Sequence, residues 1–244
     1  MFILFFLFTL PLSGAIVNAM DNWVVGLTGV AGCGKDTFFK IFSDLLSKRG
    51  IKTKRYSLAD ALKKEVSEWT KIHYGIDASN CSREEKELIR SFLVFHGSQK
   101  RLRTEGRHWI NTLDDTIKSD KLSNDTIVVV TDIRYDDYPR DEAHWLQNEL
   151  GGTLVHIGLY EPVNFPYDAG GVNSHFKKYK EPANLEEKRN DPKLLNKTNY
   201  KIEWPLCEGS QECVLQKLSH HVEDFIIWLT DANGLVIDRK DKEE

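Results

Sequence analysis

Trp23-Val24-Val25-Gly26-Leu27-Thr28 runs directly into Gly29-Val30-Ala31-Gly32-Cys33-Gly34-Lys35-Asp36-Thr37. The first six residues form a short apolar run, the pattern of a buried strand. The next nine hold three glycines and a lysine. Beyond them Phe38, Phe39, Ile41, Phe42, Leu45 and Leu46 recur at a helical period up to Arg49. Strand, glycine-rich turn and helix, in that order, fit the spacing G-x-x-x-x-G-K. Glycines let successive backbone N–H groups converge on one anion, and a helix start adds roughly half a positive charge. Gly29, Ala31, Gly32, Cys33, Gly34, Lys35, Asp36 and Thr37 are therefore read as a phosphate-binding loop, with Lys35 as a mobile cation for the terminal phosphates of ATP. A glycine-rich turn with a surface lysine is the plainer alternative. The flanking strand and helix count against it.

The loop departs from its usual pattern at one position, because Asp36 stands where Ser or Thr follows the lysine. A carboxylate there can hold Mg²⁺ directly or through water. It can equally serve as a helix-start residue facing the positive end of the helix dipole. Thr37 would then offer its hydroxyl to the α-phosphate side.

A second apolar run, Ile127–Thr131, has no polar interruption and ends at Asp132. At the carboxyl end of a parallel strand beside the loop, Asp132 would hold magnesium's water shell. Arg134, two residues on, points the same way in an extended segment and is the candidate contact to a transferring phosphoryl group. The plainer alternative is an Asp–Arg pair closing a turn. Between and beyond these runs the pattern predicts a strand over Lys52–Leu58, helices over Ala59–Tyr74 and Ser82–His96, and a helix over Asp141–Leu150 stopped by Gly151-Gly152. A strand over Thr153–Leu159 and a helix over Gln211–Leu229 follow. Strands alternating with helices imply an α/β three-layer fold, a mostly parallel sheet with helices on both faces.

Lys100, Arg101, Arg103, Arg107 and His108 crowd one segment. If it is helical, Lys100, Arg103 and Arg107 share a face, and guanidinium groups bind phosphate with paired hydrogen bonds. Glu105 lies among them, so a solvated charge run is the competing reading. Asp60 and Lys63 open the helix after the second strand. Trp109 would stack on a base or anchor a core.

Read together, these segments resemble the bacteriophage deoxynucleoside monophosphate kinases, within the P-loop nucleoside and nucleotide kinases. The resemblance is carried by Gly29–Thr37, Leu58-Ala59-Asp60-Ala61-Leu62-Lys63, His96-Gly97-Ser98 with Arg101, Arg103 and Trp109, Thr131-Asp132-Ile133-Arg134, Glu142 with Gly151-Gly152, and Asn190-Asp191-Pro192. It spans Trp23 to about Pro205. Two segments depart from it: Tyr135–Asp141 is longer than the family's spacing, and Phe176-Lys177-Lys178 follows His175 where a short His-x-Ser-Glu segment is the rule. The resemblance implies transfer of the ATP γ-phosphoryl to a deoxynucleoside monophosphate, with Mg²⁺ as cofactor. Lys35, Asp132 and Arg134 would be catalytic, Asp36 and Asp132 on the metal side, and Asp60, Lys63, Arg101, Arg103, Arg107 and Trp109 around the acceptor. Another small-molecule P-loop kinase, such as one acting on phosphomevalonate, and a nucleotide-dependent switch stay open as alternatives.

Composition bounds the rest. The chain has 244 residues, 41% hydrophobic and 29% charged, which excludes a disordered, collagen-like or multi-span membrane chain. The net charge of -4 argues against a nucleic-acid-coating protein. Four cysteines without a CxxC pair imply neither a zinc site nor a disulfide framework. Residues 1–19 carry no charge and read either as an export leader ending at Val17-Asn18-Ala19 or as sequence upstream of a true start at Met20. Use of ATP favours the second and a cytoplasmic location. The expected organisation is then a kinase domain over 20–237 and a charged tail over 238–244. The expected partners are the two small substrates, with no nucleic acid and no membrane, and a homodimer stays open.

Overall fold

The computed structural model describes residues 23–123, 125–164 and 175–233; the readings of 1–19 and 238–244 lie outside them. Strands β1 (Val24–Thr28), β2 (Lys52–Tyr56), β3 (Thr126–Val130), β4 (Thr153–Asn164), β5 (His175–Tyr179) and β6 (Tyr200–Pro205) make one sheet. Its order is β2-β3-β1-β4-β5, with β6 also paired to β4. All pairings are parallel except β4 with β5, which run antiparallel from Tyr160–Tyr179 to Asn164–His175. The helices are α1 (Lys35–Ser47), α2 (Leu58–Tyr74), α3 (Arg83–Arg103), α4 (Arg107–Ser119), α5 (Glu142–His144), α6 (Leu185–Lys197) and α7 (Gln211–Asn233). A π turn over Trp145–Glu149 continues α5. This is the α/β arrangement that the alternation of strands and helices implies.

Strand periodicity sorts the two cores. Val25 and Leu27 of β1 face α1 and α7, where Phe38, Phe42 and Phe225 pack ring against ring. Val24 turns to the other face with Val128, Val130 and Leu154, against Trp109, Ile110 and Leu113 of α4 and Trp145 and Leu146 beyond α5. Gly26 lies on that second face, where a Cβ would come 2.2 Å from the Leu146 side chain. A third, smaller cluster (Val66, Ile76, Ala78, Ile89 and Leu93) joins α2 to α3 away from the sheet.

Several elements differ from the sequence reading. Ser82 is the N-cap of α3 rather than its first residue, with a capping box closed by Glu85. The chain breaks between α3 and α4 at Glu105 (φ 49°) and Gly106 (φ 84°), both in the left-handed region. Lys100 and Arg103 therefore sit on one helix and Arg107 on the next, and the single-face cationic stripe does not form. The elements β5, β6 and α6 were not legible as separate units.

Candidate active site

The loop between β1 and α1 turns through three glycines with positive φ: Gly29 at 124°, Gly32 at 72° and Gly34 at 102°. Residues with a Cβ resist that backbone. At Gly34 sterics add a second reason, since a Cβ would stand 2.6 Å from the Trp204 ring. That indole donates its N–H to the Cys33 carbonyl at 2.9 Å, so β6 props the loop from beneath. Cys33 is fully buried, and burial pushes its thiol up against the pull of Lys35. It is a packing group, not a nucleophile.

Lys35 lies in the first turn of α1 and folds back over the loop. Its ammonium donates to the Gly29 carbonyl at 2.6 Å and to the Val30 carbonyl at 3.0 Å. The Ala31 N–H donates to the Glu187 carboxylate at 3.2 Å, so one anion-seeking donor of the loop is met by an internal acid. Glu187 is anchored at the start of α6, where it also accepts from the Ala183 N–H at 3.0 Å. The Lys180 side chain lies against Gly32, its Cε 3.2 Å from where a Cβ would be. Sequence reasoning passed over Glu187, Lys180 and Trp204. The spacing Asn184-x-x-Glu187 marks a helix start, but nothing local indicates a reach across the chain to Ala31.

Parallel register brings the second carboxylate to the same edge. Gly26 pairs with Val130, which sets Asp132 level with Thr28 at the mouth of the loop. Asp132 is 6% exposed and accepts three hydrogen bonds, from the Ser57 hydroxyl and the Leu58 and Ala59 N–H groups, each at 2.8 Å. It acts as the side-chain cap that Ser57 does not supply to α2. Asp60 and Lys63 follow in the first two turns of α2, paired to each other at 2.8 Å. Asp60 also pairs with Arg55 at 3.0 Å, and these partners hold its carboxyl below the usual range against partial burial. Asp36 projects into solvent, 87% exposed at the side chain, with Arg55 at 3.6 Å. Thr37 follows it, half-buried.

Arg134 is exposed, and among the described residues its guanidinium has no partner. Its backbone is fixed, because the Arg134 and Tyr135 N–H groups donate to one oxygen of Glu142 at 2.6 and 3.1 Å. Burial pushes the Glu142 carboxyl up, against the opposing pull of the Arg101 guanidinium. Arg103 is likewise exposed and unpartnered among the described residues.

Three of the expected acceptor-site residues are engaged by other parts of this chain. Arg101, 7% exposed, donates to Asp141 at 2.7 Å and Glu142 at 3.0 Å and stacks on Tyr135 at 3.8 Å. Arg107 makes a bidentate pair with Glu149 at 2.8 and 2.9 Å. Trp109 is 4% exposed and donates to the Gly97 carbonyl at 3.3 Å. All three bind parts of this chain to one another: Arg101 and Trp109 are enclosed, and the Arg107 fork is taken up by Glu149.

Lys100 and two histidines serve Glu65 of α2, at 2.9 Å from Lys100, 2.8 Å from His96 and 2.6 Å from His108. Partial burial opposes ionisation there, but these hydrogen bonds hold the Glu65 carboxyl down at about 2. A depressed carboxyl contributes stability that is present above its unfolded value of 4.5 and is lost as pH falls toward 2. Thermal unfolding of Glu65→Gln should therefore begin below wild type at neutral pH and converge on it across that window. A gap that stays constant down to about pH 2 would assign Glu65 no titrating role.

Among the described residues no group of three or more His, Cys, Asp or Glu side chains is arranged to hold a metal ion, and no helix is long and apolar enough to cross a membrane. No protein-family model matches the chain, and no curated protein sequence matches it. Among solved structures it is similar to dephospho-CoA kinase from Campylobacter jejuni, at 16% identity over 87% of this chain and 98% of that one, with a TM-score of 0.41. It is also similar to shikimate kinase from Acinetobacter baumannii in complex with shikimate, at 14% identity over 88% and 96%, with a TM-score of 0.38.

Proposed function

We propose that the chain is a cytoplasmic ATP-dependent kinase of deoxynucleoside monophosphates, yielding the diphosphate and ADP. The observation that carries the phosphotransfer reading is the loop itself. Three left-handed glycines set a nest of N–H groups on a helix start, with a cation folded onto its carbonyls and a carboxylate already seated on one N–H. The choice of acceptor rests on the resemblance set out above.

In this reading the loop N–H groups and Lys35 take the donor phosphates, and Glu187 leaves Ala31 as they arrive. Arg134 and Arg103, exposed and without partners among the described residues, meet the phosphoryl being moved and the acceptor phosphate. That acceptor is already anionic, so positioning and charge neutralisation supply the catalysis and no general base is required. The donor set suits a magnesium ion that arrives with the nucleotide, since it offers two separate carboxylates rather than a cage. Asp36 is open to solvent, and Asp132 has spare acceptor capacity beyond its three hydrogen bonds for a metal-bound water. Such an ion would neutralise charge on the phosphates.

The test is coupled ADP release across a panel of nucleoside monophosphates, deoxynucleoside monophosphates and phosphomevalonate. Turnover should appear with a deoxynucleotide and be absent without acceptor. Turnover with phosphomevalonate alone, or slow acceptor-independent hydrolysis, overturns the proposal. Within it, Arg103→Ala should raise the acceptor KM by about tenfold to a hundredfold, matching the 1.5–3 kcal/mol of a hydrogen bond to a charged group. The KM for ATP should move much less. An equal effect on both substrates would make Arg103 a donor-side group.

A further inference from the structure

Asn184-Leu185-Glu186-Glu187 opens α6 with a cap and two acids. The Glu187 N–H donates to the Asn184 side chain at 2.9 Å, the local bond of a helix start. One oxygen of the Glu187 carboxylate, Oε2, accepts from the Ala183 N–H at 3.0 Å and from the Ala31 N–H at 3.2 Å. The first donor belongs to the same helix start; the second lies 156 residues away, in the phosphate loop. The helix behind this carboxylate is fixed. Asn190 is 0% exposed and accepts from the Asp136 N–H at 3.1 Å. Arg189 and Lys193 pair with Asp137 at 2.8 and 2.9 Å, and Lys197 pairs with Asp136 at 2.7 Å. These ties pin α6 along more than two turns, so it presents Glu187 to the loop at a defined place.

We propose that Glu187 decides which anions the loop accepts: its carboxylate is a built-in competitor that keeps single phosphates out of the donor site and yields to a polyphosphate. This rests on the reading of the loop as a donor-phosphate site. A carboxylate and a phosphate both seek the Ala31 N–H, so an anion that settles there must first displace Glu187. The displacement is modest, because the carboxylate keeps the Ala183 N–H, and it is the same for every ligand. What differs is the return. A triphosphate spans the loop and gains the first-turn N–H groups of α1, which a helix leaves without intrahelical partners, together with the Lys35 ammonium. A single phosphate reaches fewer of these donors. A fixed penalty therefore rejects the short anion and is outweighed by the long one, which is discrimination by a repulsive element. Such discrimination matters in the reaction proposed above, because the acceptor is itself a phosphate monoester. Without the internal acid, the acceptor's phosphate would compete with ATP for the donor loop.

Isothermal titration calorimetry without acceptor tests the competitor on Glu187→Gln, which is neutral and of the same shape, and on Glu187→Ala. Both should bind sodium pyrophosphate, and ATP with Mg²⁺, about tenfold more tightly than wild type, the lower end for a hydrogen bond to a charged group. Millimolar inorganic phosphate should raise the melting temperature of both variants and leave wild type unmoved, whereas pyrophosphate should stabilise all three. Glu181→Gln removes an exposed negative charge from the same segment and should bind pyrophosphate as wild type does. In turnover, a high concentration of deoxynucleoside monophosphate should inhibit Glu187→Gln but not wild type, and added ATP should relieve the inhibition. Equal pyrophosphate affinity in wild type and both Glu187 variants overturns the inference and leaves the kinase reading standing. An equal gain in Glu181→Gln does the same, by reducing the effect to net charge. A wild-type chain stabilised as strongly by phosphate as by pyrophosphate also overturns it. Tighter pyrophosphate binding by the Glu187 variants, with no turnover on any nucleotide, upholds the competitor and removes the kinase reading. Binding of neither ATP nor pyrophosphate by any of these chains overturns both.

Discussion

Lys35→Ala is expected to keep its fold and its affinity for nucleotide to within an order of magnitude, and to lose about two to three orders of magnitude in kcat. The size follows from what the side chain does in the proposed reaction. An ammonium group aimed at phosphates where charge shifts during transfer acts more strongly on the transition state than on the bound substrate. Removing one such preorganised donor costs about 2.7–4 kcal/mol of activation energy. The fold should survive because the partners that lysine leaves, the Gly29 and Val30 carbonyls, border an open loop and can bind water. Nucleotide affinity should survive because the glycine-rich backbone is unchanged. Lys35→Arg should not rescue, since a planar fork cannot fit where a compact ammonium reaches two carbonyls of a tight turn. The measurement is kcat and both KM values for each variant, beside a thermal melt. A kcat within about threefold of wild type would place the lysine outside the chemistry.

The loop was legible because its signal is local. Glycine spacing, the strand before it and the helix after it lie within about twenty-five residues, and each has a sterically forced meaning. Asp132 was legible as a carboxylate at a strand end, but its engagement was not: its donors come from Ser57, Leu58 and Ala59, more than seventy residues away. The cationic segment misled for a related reason. A run of arginines shows where charge is, but not whether acids from elsewhere in the chain neutralise it. Glu149 takes Arg107, and Asp141 with Glu142 takes Arg101. What singles out Arg103 and Arg134 is that no acid among the described residues reaches them, a property no window of sequence contains. The strand β6 was passed over because Lys201 and Glu203 interrupt it, although Ile202 and Trp204 alternate with them as an inward face.

Arg101→Ala should be the most destabilising single change among the residues that the sequence places near the acceptor. Among the described residues the guanidinium is the only cation touching Asp141 and Glu142, which are 0% and 3% exposed. Truncation leaves two acids buried without their counter-charge, and breaking a buried pair from one side costs about 3–5 kcal/mol. For a domain of this size that lowers the unfolding midpoint by roughly 6–20 °C. The damage should also reach the site. Glu142 holds the Arg134 and Tyr135 N–H groups, and Asp141 holds the Asp137 N–H at 2.9 Å, so the segment carrying Arg134 is hung from the same two acids. Loss of kcat at temperatures where the variant is still folded is therefore expected, with the acceptor KM changed less. Relieving the stranded charge should return stability: Arg101→Met combined with Asp141→Asn and Glu142→Gln should melt above Arg101→Ala. It should not recover kcat, because an amide at 142 accepts those backbone hydrogen bonds more weakly than a carboxylate. An arginine that bound acceptor phosphate would show the opposite split, with an unchanged melt and a raised acceptor KM. Thermal unfolding and the two KM titrations on Arg101→Ala thus decide between a buried clamp and a surface contact.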